Sequence, residues 1–475
     1  IWDINEDLYY YFTTEKFNGV QKLRSVVNAN SFSIQFNYNT QGHLTQITDS
    51  AHRVLKVTND AVGRITQINA PHPEFPGQTF TIATYIYDAK GNMLEQKNAV
   101  GDSMLFEYEG YLMVKETWRN GLNWFFRYDG KDIGSRCIHT WGDNNIYNHK
   151  LEFFNGLTKV ENSLGHITEY YHKGGLVYKK VEPNGAINQW LYDEDNQLTS
   201  YTDPLGHKEL YTYDNFGNVI LSIDPAGAIV ETEYSLEPNQ QHLPVKLKDA
   251  NGGIYKWDYD DHGNVIKRTN PLGASSTMEY DNGLLQTITD ALGNTTNLQY
   301  DSKYNIKEIR DSLGNTSLYK YDVLGNCTKI TNPKGAIQTK GFDLLNRIKE
   351  VSNFDGNNIH LEYDGIDNLL KYQDTHQEVN YSYSGMWKMT RRSDARGTTY
   401  YYYDTEEQLT KIINEKGNPY TFTLDSVGNV TKEQSFDEAT KHFKRDLAGR
   451  VLQLTKASGK KVKYTYDAAS RITEI

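Results

Sequence analysis

Cys137 and His139 stand two residues apart, with Asp132 before them and Asp143 after. Alternate residues of an extended strand share a face, so the thiol and imidazole could approach each other. A thiol nucleophile needs a base within hydrogen-bond reach and a third group to orient that base. No nucleophile elbow and no glycine-rich oxyanion loop accompanies these four residues. The expectation is a structural stretch, and no catalytic residue is assigned. The 13 histidines are scattered, with no His-x-x-x-His, His-Glu-x-x-His or Cys-x-x-Cys spacing, and Gly174-Gly175 and Gly252-Gly253 are isolated doublets. Neither a zinc site, a phosphate loop nor a cofactor is therefore expected.

Carboxylates and amides recur in a second pattern. Tyr87-Asp88-Ala89-Lys90-Gly91-Asn92, Tyr213-Asp214-Asn215-Phe216-Gly217-Asn218 and Tyr321-Asp322-Val323-Leu324-Gly325-Asn326 share one form. Such oxygens could suggest calcium, but the nonapeptide pattern of calcium-binding β-rolls is missing. Asp at the start of a turn caps its own backbone, and Gly supplies the left-handed position. The aspartates are read as turn formers, with no metal. Asn294, Asn315, Asn326 and Asn429 begin Asn-x-Ser/Thr triplets. The repeat itself calls for an Asn after the turn glycine, so these triplets are discounted as glycan acceptors. A row of tyrosines such as Tyr213, Tyr259, Tyr280, Tyr300 and Tyr321 could stack sugars. The preferred reading is a packing ladder, because cross-strand aromatic pairs stabilise by ~0.2–1 kcal/mol and a ladder needs a ring in every unit.

Tyr211 to Tyr234 contains one complete unit. Tyr211 and Tyr213 share a strand face, Asp214 to Gly217 turn the chain, and Val219, Leu221 and Ile223 alternate again. Asp224-Pro225-Ala226-Gly227 makes a second turn. Tyr-Asp pairs or variants begin at 171, 192, 213 and 234, then at 259, 280, 300, 321, 342, 363, 383, 403, 424, 445 and 466, in steps of 20 or 21 within each run. The signature residues are Tyr87, Asp88, Gly91, Tyr192, Asp193, Tyr213, Asp214, Gly217, Tyr259, Asp260, Gly263, Tyr280, Asp281, Tyr300, Asp301, Tyr321, Asp322, Gly325, Tyr363, Asp364, Tyr403, Asp404, Tyr466 and Asp467. Their expected role is structural. A fixed period of this kind defines the architecture before any other feature.

These motifs resemble the YD-repeat family of the Rhs kind, and the resemblance covers essentially the whole chain. That family includes Rhs toxins, the C component of insecticidal Tc complexes, wall-associated toxins and teneurins. The resemblance implies tandem β-hairpins in one long antiparallel sheet wound as a spiral or hollow shell. In the toxin members the shell encloses a C-terminal toxin. Their shells end in a motif similar to Asp-Pro-x-Gly-Leu-x-Gly-Gly-x-Asn, which has no counterpart here, so self-cleavage is assigned to no residue. The resemblance also implies a bacterial protein that is secreted or at the cell surface. Its partners would be a toxin or effector cargo in the same longer chain, secretion-apparatus components, or surface glycans.

Composition agrees with a thin all-β wall. Apolar residues are 37% of 475, below the usual ~45–50%, yet aromatics reach 13%. A net charge of −11 excludes a general nucleic-acid coat, which needs a basic surface. Lys456, Lys460, Lys461 and Lys463 read as a solvated turn. Two cysteines cannot make a disulfide framework. No apolar run approaches the ~18 residues of a membrane span.

The chain reads as one array over residues 1–475. Irregular loops are expected near 70–77, 130–149 and 236–244. Both ends fall inside the repeat, which reads as an excerpt of a longer polypeptide. About 21 units of two strands, ~4.8 Å apart, would make a ribbon ~190 Å long, or a turn or so of shell ~60 Å across. A β-propeller is the rival fold, but about 11 blades would be needed, above the usual 4–8.

Overall fold

The computed structural model describes residues 1–3 and 8–475. They form 46 strands. Forty-four belong to one antiparallel sheet, and Thr465–Tyr466 pairs separately with Ile472–Glu474. Apart from one 3-10 turn at Asp143–Asn145, no helix occurs among the described residues.

Each unit is built as its sequence requires. Strand Lys208–Tyr213 pairs with Val219–Ile223, which pairs in turn with Ile229–Tyr234. At the signature turn, the Gly217 amide donates to the Asp214 carbonyl at 3.2 Å and the Asp214 amide to the Asn218 carbonyl at 3.0 Å. Gly217 has φ +86°, a conformation that costs side-chain-bearing residues about 1 kcal/mol or more. The return turn, Asp224 to Ala228, repeats both backbone bonds at 2.9 Å. The two turns differ in one respect: the register shifts between Thr212 and Tyr213, whereas no shift marks the return turn. The extra residue is a β-bulge, which bends the strand and strengthens its twist. Along Ile229–Tyr234, Ile229, Glu231 and Glu233 are exposed while Val230, Thr232 and Tyr234 are half-buried.

The wall is thin. Among the described residues only small or scattered apolar side chains, such as Ala51, Val57, Ala70, Leu122, Trp124, Leu298 and Val379, are buried, and no large one is fully so. The chain divides into two compact units, one of Ile1–Met104 with Thr232–Leu361, the other of Leu105–Glu231 with Glu362–Ile475. Each joins two stretches far apart in sequence. In the first unit Asn30 meets Asn264 and Arg53 meets Leu324. In the second unit Ser163 meets Glu406 and Trp118 meets Trp387. Within each unit the ribbon therefore meets itself after roughly 250 residues.

The loops at 72–78 and 235–243 are closed at their bases by His72 N to Gln78 O and Ser235 N to Leu243 O, both 2.9 Å. The expected irregular loop at 130–149 is corrected. It contains strand Cys137–Gly142, which pairs with Asn123–Tyr128 and with His149–Phe154. The signature is lost there, but backbone hydrogen bonding is not.

Candidate functional site

The bulge explains the signature tyrosine. Strand Leu198–Thr202 pairs with Lys208–Tyr213 only as far as Ser200 opposite Leu210. Beyond it the strands diverge, and the Tyr213 hydroxyl donates to the Leu198 carbonyl at 2.8 Å. The same bond, 15 residues back, is made by Tyr38, Tyr128, Tyr192, Tyr259, Tyr280, Tyr300 and Tyr466 at 2.8–3.2 Å. Tyr403 spans 14 residues and Tyr87 spans 22. At two positions where the tyrosine is replaced, another donor takes over: Asn59 Nδ2 reaches the Leu44 carbonyl at 2.7 Å and Arg445 Nε the Val430 carbonyl at 3.1 Å, whereas Phe342 and Leu424 supply none. An unsatisfied buried carbonyl costs about 1–3 kcal/mol, which is why a donor recurs. Burial pushes the phenols of Tyr213, Tyr259, Tyr280, Tyr300 and Tyr321 upward, which favours the protonated form that donates in the first four.

The expected ring-on-ring ladder is not what recurs. Among the described residues, ring contact at the repeat spacing is seen at Phe17 and Tyr38, 6.2 Å apart. Instead, the residue after a turn glycine covers the next unit. Arg64 is paired with Asp60 at 2.6 Å, lies 4.9 Å over the Tyr87 ring and donates to the Asp88 carbonyl. Arg450 does the same between Asp446, Tyr466 and Asp467. The exchange of Tyr for Asn and Arg was the available sequence signal, since these side chains share donors and not rings.

The aspartate is used up inside its turn. Asp214 Oδ1 accepts the amides of Phe216 and Asn218 at 2.8 and 3.0 Å, and Oδ2 accepts Asn218 Nδ2 at 2.8 Å. At Asp290 the side-chain amide of Asn294, with backbone amides, holds the carboxyl below its ordinary range against the opposing effect of burial. No group of three or more metal-binding side chains lies together among the described residues. The triplet asparagines Asn294, Asn315, Asn326 and Asn429 each donate Nδ2 to the turn aspartate, the nitrogen a glycan would require.

The Cys137 group does not assemble. Cys137 Sγ faces the His139 carbonyl at 3.5 Å, while His139 Nε2 lies 2.7 Å from Asn148 Oδ1. Asp143 Oδ2 accepts from Asn123, and the Asp132 amide donates to Ser135. No base reaches the sulfur.

What the structure does bring together is a seam between turn rows. In the first unit, return turns of the early ribbon meet signature turns of the later one. Asn30 bonds Asn264 at 2.9 Å, Lys303 Nζ donates to the Ala51 carbonyl at 2.6 Å, and Arg53 Nη1 to the Leu324 carbonyl at 2.8 Å. An apolar cleft of about 400 Å³ lies beside them, lined by Ile47, Leu55, Phe80, Leu324 and Leu344.

In the second unit, Ser163 donates through its amide and hydroxyl to Glu406 at 2.8 and 2.6 Å, and His149 Nε2 lies 3.1 Å from the same carboxylate. Glu406 stands between Ser163 and His149, so this is a clasp and no Ser-His nucleophile. Beside it Glu407 occupies the left-handed turn position at φ +52°. It is 5% exposed, accepts the Met386 amide at 2.8 Å and leaves Oε2 without a partner. Burial pushes its carboxyl up, outweighing the Met386 bond and Lys388. Further along this seam a cleft of about 810 Å³ opens between Glu182, Asp203 and Asp224 on one side and Asn429 and Ser470 on the other. On its rim Lys180 pairs with Glu182, and His207 Nδ1 lies 3.0 Å from Asp203 Oδ2. These seam residues carry no sequence signature of their own.

The comparisons agree with this geometry. Residues 192–229, 259–295, 305–337 and 445–475 match the RHS Repeat family, and residues 16–144 match the teneurin YD-shell family. The chain thus carries YD repeats of the Rhs kind together with a teneurin-like YD-shell segment. Over 464 residues it is 23% identical to the probable deoxyribonuclease RhsB of Dickeya dadantii, covering 91% of this chain and 30% of that one. It is 22% identical over 257 residues to the toxin protein Tse5 of Pseudomonas aeruginosa, covering 49% of this chain and 19% of that one. The chain thus spans less than a third of the length of the curated relatives it matches. A chain in the crystal structure of TcdB2-TccC3-Cdc42 is similar with a TM-score of 0.72 at 12% identity, over 95% of this chain and 35% of that one. Another, of TcdB2-TccC3 without its hypervariable C-terminal region, gives 0.62 over the same shares. The fold is accordingly that of a YD shell, in a class associated with toxins. No helix among the described residues is long and apolar enough to cross a membrane.

Proposed function

We propose that residues 1–475 are one non-catalytic array, a segment of a wall that encloses or presents a toxin or effector domain of the same longer polypeptide. The observation that carries the reading is the seam: hydrogen bonds join turn rows edge to edge in each unit, as a containing wall requires. Signature residues such as Tyr213, Asp214 and Gly217 are its fasteners, each spent on a backbone group. The toxin relatives support a secreted or surface-exposed bacterial protein. Limited proteolysis of the polypeptide that carries the array tests this. Loops 72–78 and 235–243 should be cut while the enclosed domain survives. Cargo digested as fast as those loops would overturn the proposal.

Adhesion to glycans is the second reading, favoured by Phe75, which is 51% exposed on the 72–78 loop. Against it, the signature tyrosines commit their hydroxyls to the wall. Binding on a glycan array that Phe75→Ala abolishes would reverse the order of the two readings.

A further inference from the structure

The signature turn 404–408 carries two adjacent carboxylates that face different ways. Glu406 crosses the seam of the second unit to the Ser163 amide and hydroxyl and to His149. Glu407 points back along its own ribbon to the Met386 amide. The same turn accepts the Tyr147 amide on its Thr405 carbonyl at 2.8 Å, and Ser163 Oγ lies 2.7 Å from Thr405 Oγ1. The Glu406 side chain is 10% exposed and Glu407 5%, so the two ribbons themselves enclose the arrangement.

Two protons bear on this clasp. Glu407 Oε2 has no partner among the described residues, and a buried charge without compensation is unfavourable. Its titratable and charged neighbours are Tyr147 on the early ribbon and Tyr403, Asp404, Glu406 and Lys388 on the later one. Asp143, across an adjoining cleft of about 370 Å³, is engaged by Asn123. Lys388 opposes the burial of the carboxylate, but burial outweighs it, so the neutral acid is favoured. Protonation of Glu407 thus relieves the clasp. The second proton goes to His149, whose ring stands 5.8 Å from that of Tyr147. Histidine gains a proton in mildly acidic water, and that proton makes the contact with Glu406 a charge-assisted bond. Both protons act in the same direction.

We propose that this double-glutamate turn is a pH-sensitive latch, which holds the seam of the second unit more tightly in mildly acidic than in neutral water. The window closes at the pH where Glu406 itself takes up a proton and gives up His149. The consequence for a wall rests on the containment reading: the array loosens along this seam as pH rises. The latch itself needs only the clasp.

Amide exchange in the polypeptide that carries the array, corrected for the intrinsic pH dependence of exchange, tests this between about pH 5.5 and 7.5. Protection at Tyr147 and Ser163 should rise about tenfold toward the acid end, the scale of one charge-assisted hydrogen bond. Gly227, whose amide closes an ordinary return turn of the same unit, should stay level. Glu407→Gln keeps the oxygen that accepts from Met386, and His149→Gln keeps a donor for Glu406, yet neither replacement titrates. The double variant should protect the seam equally at both ends of the range. Protection at Tyr147 and Ser163 that does not change with pH in the parent would overturn the latch, while leaving the proteolysis test of containment standing. So would a double variant that keeps the parent's response, or a response at Gly227 as large as that at the seam.

Discussion

Two rows of turns in the first unit share motif, hydrogen bonding and backbone conformation, yet differ in surroundings. Asp49 to Arg53 and Asp290 to Asn294 both close with an aspartate accepting the amide four residues on, at 2.9 and 2.8 Å. The third residue is Ala51, 5% exposed, in one and Leu292, 88% exposed, in the other. Local chemistry makes the turn. What lies over it depends on a strand pair about 250 residues away. Signature and return turns differ similarly. A Cβ at Gly63 would lie 2.5 Å from the His43 ring, and one at Gly325 2.9 Å from Arg53 Nη1, whereas nothing lies within 4 Å of one at Gly293.

The largest effect should break this last contrast. Gly325→Val combines left-handed strain with displacement of Arg53 from the seam, and is expected to cost about 3 kcal/mol. Gly293→Val suffers the strain alone and should cost about 1–2 kcal/mol. Thermal melting of the two variants reads the difference, and equal shifts would show that the close approach is unimportant. Next, Glu406→Ala removes the acceptor of the Ser163 amide and hydroxyl, and the clasp should weaken by about 2 kcal/mol. Amide exchange at Ser163 should quicken while exchange at Asp290, which belongs to the other unit, stays unchanged.

Tyr213→Phe should cost about 1 kcal/mol by orphaning the Leu198 carbonyl. Phe342→Tyr, which supplies a donor at the equivalent position, should move stability the other way. Identical effects from the two would return the role to ring packing.

The pH dependence should separate two carboxylates. Burial raises the folded pKa of Glu407, so its contribution is full below the ordinary Glu value and is lost as pH rises through the raised one. Glu407→Gln should therefore stabilise the second unit at neutral pH and flatten that loss. Asp290 has the opposite sign, because Asn294 lowers its folded pKa. Its contribution is present above the ordinary Asp value and is lost as pH falls through the lowered one. Melting of Glu407→Gln and Asp290→Asn across pH 3–8 checks both signs.

The period, the two turns and the all-β character were legible because each rests on neighbours within about ten residues. Asp214 caps the amides of residues 216 and 218, and Gly217 meets its φ requirement, whatever the rest of the chain does. The tyrosine was half legible. Its position followed from the repeat, but its ring drew the inference toward stacking, when the hydroxyl and a diverging strand pair explain it. The stretch 130–149 misled because backbone pairing needs no signature residue.

The amino-acid order alone settles that this chain makes hairpins, since turn geometry and strand alternation are short-range and repeat in every unit. Which edge of the ribbon is covered, which leucines face water and which carboxylates are buried were decided only by the folded whole. Those outcomes depend on groups some 250 residues apart, brought together by small twists accumulated over many strands, and no local spacing encodes that sum.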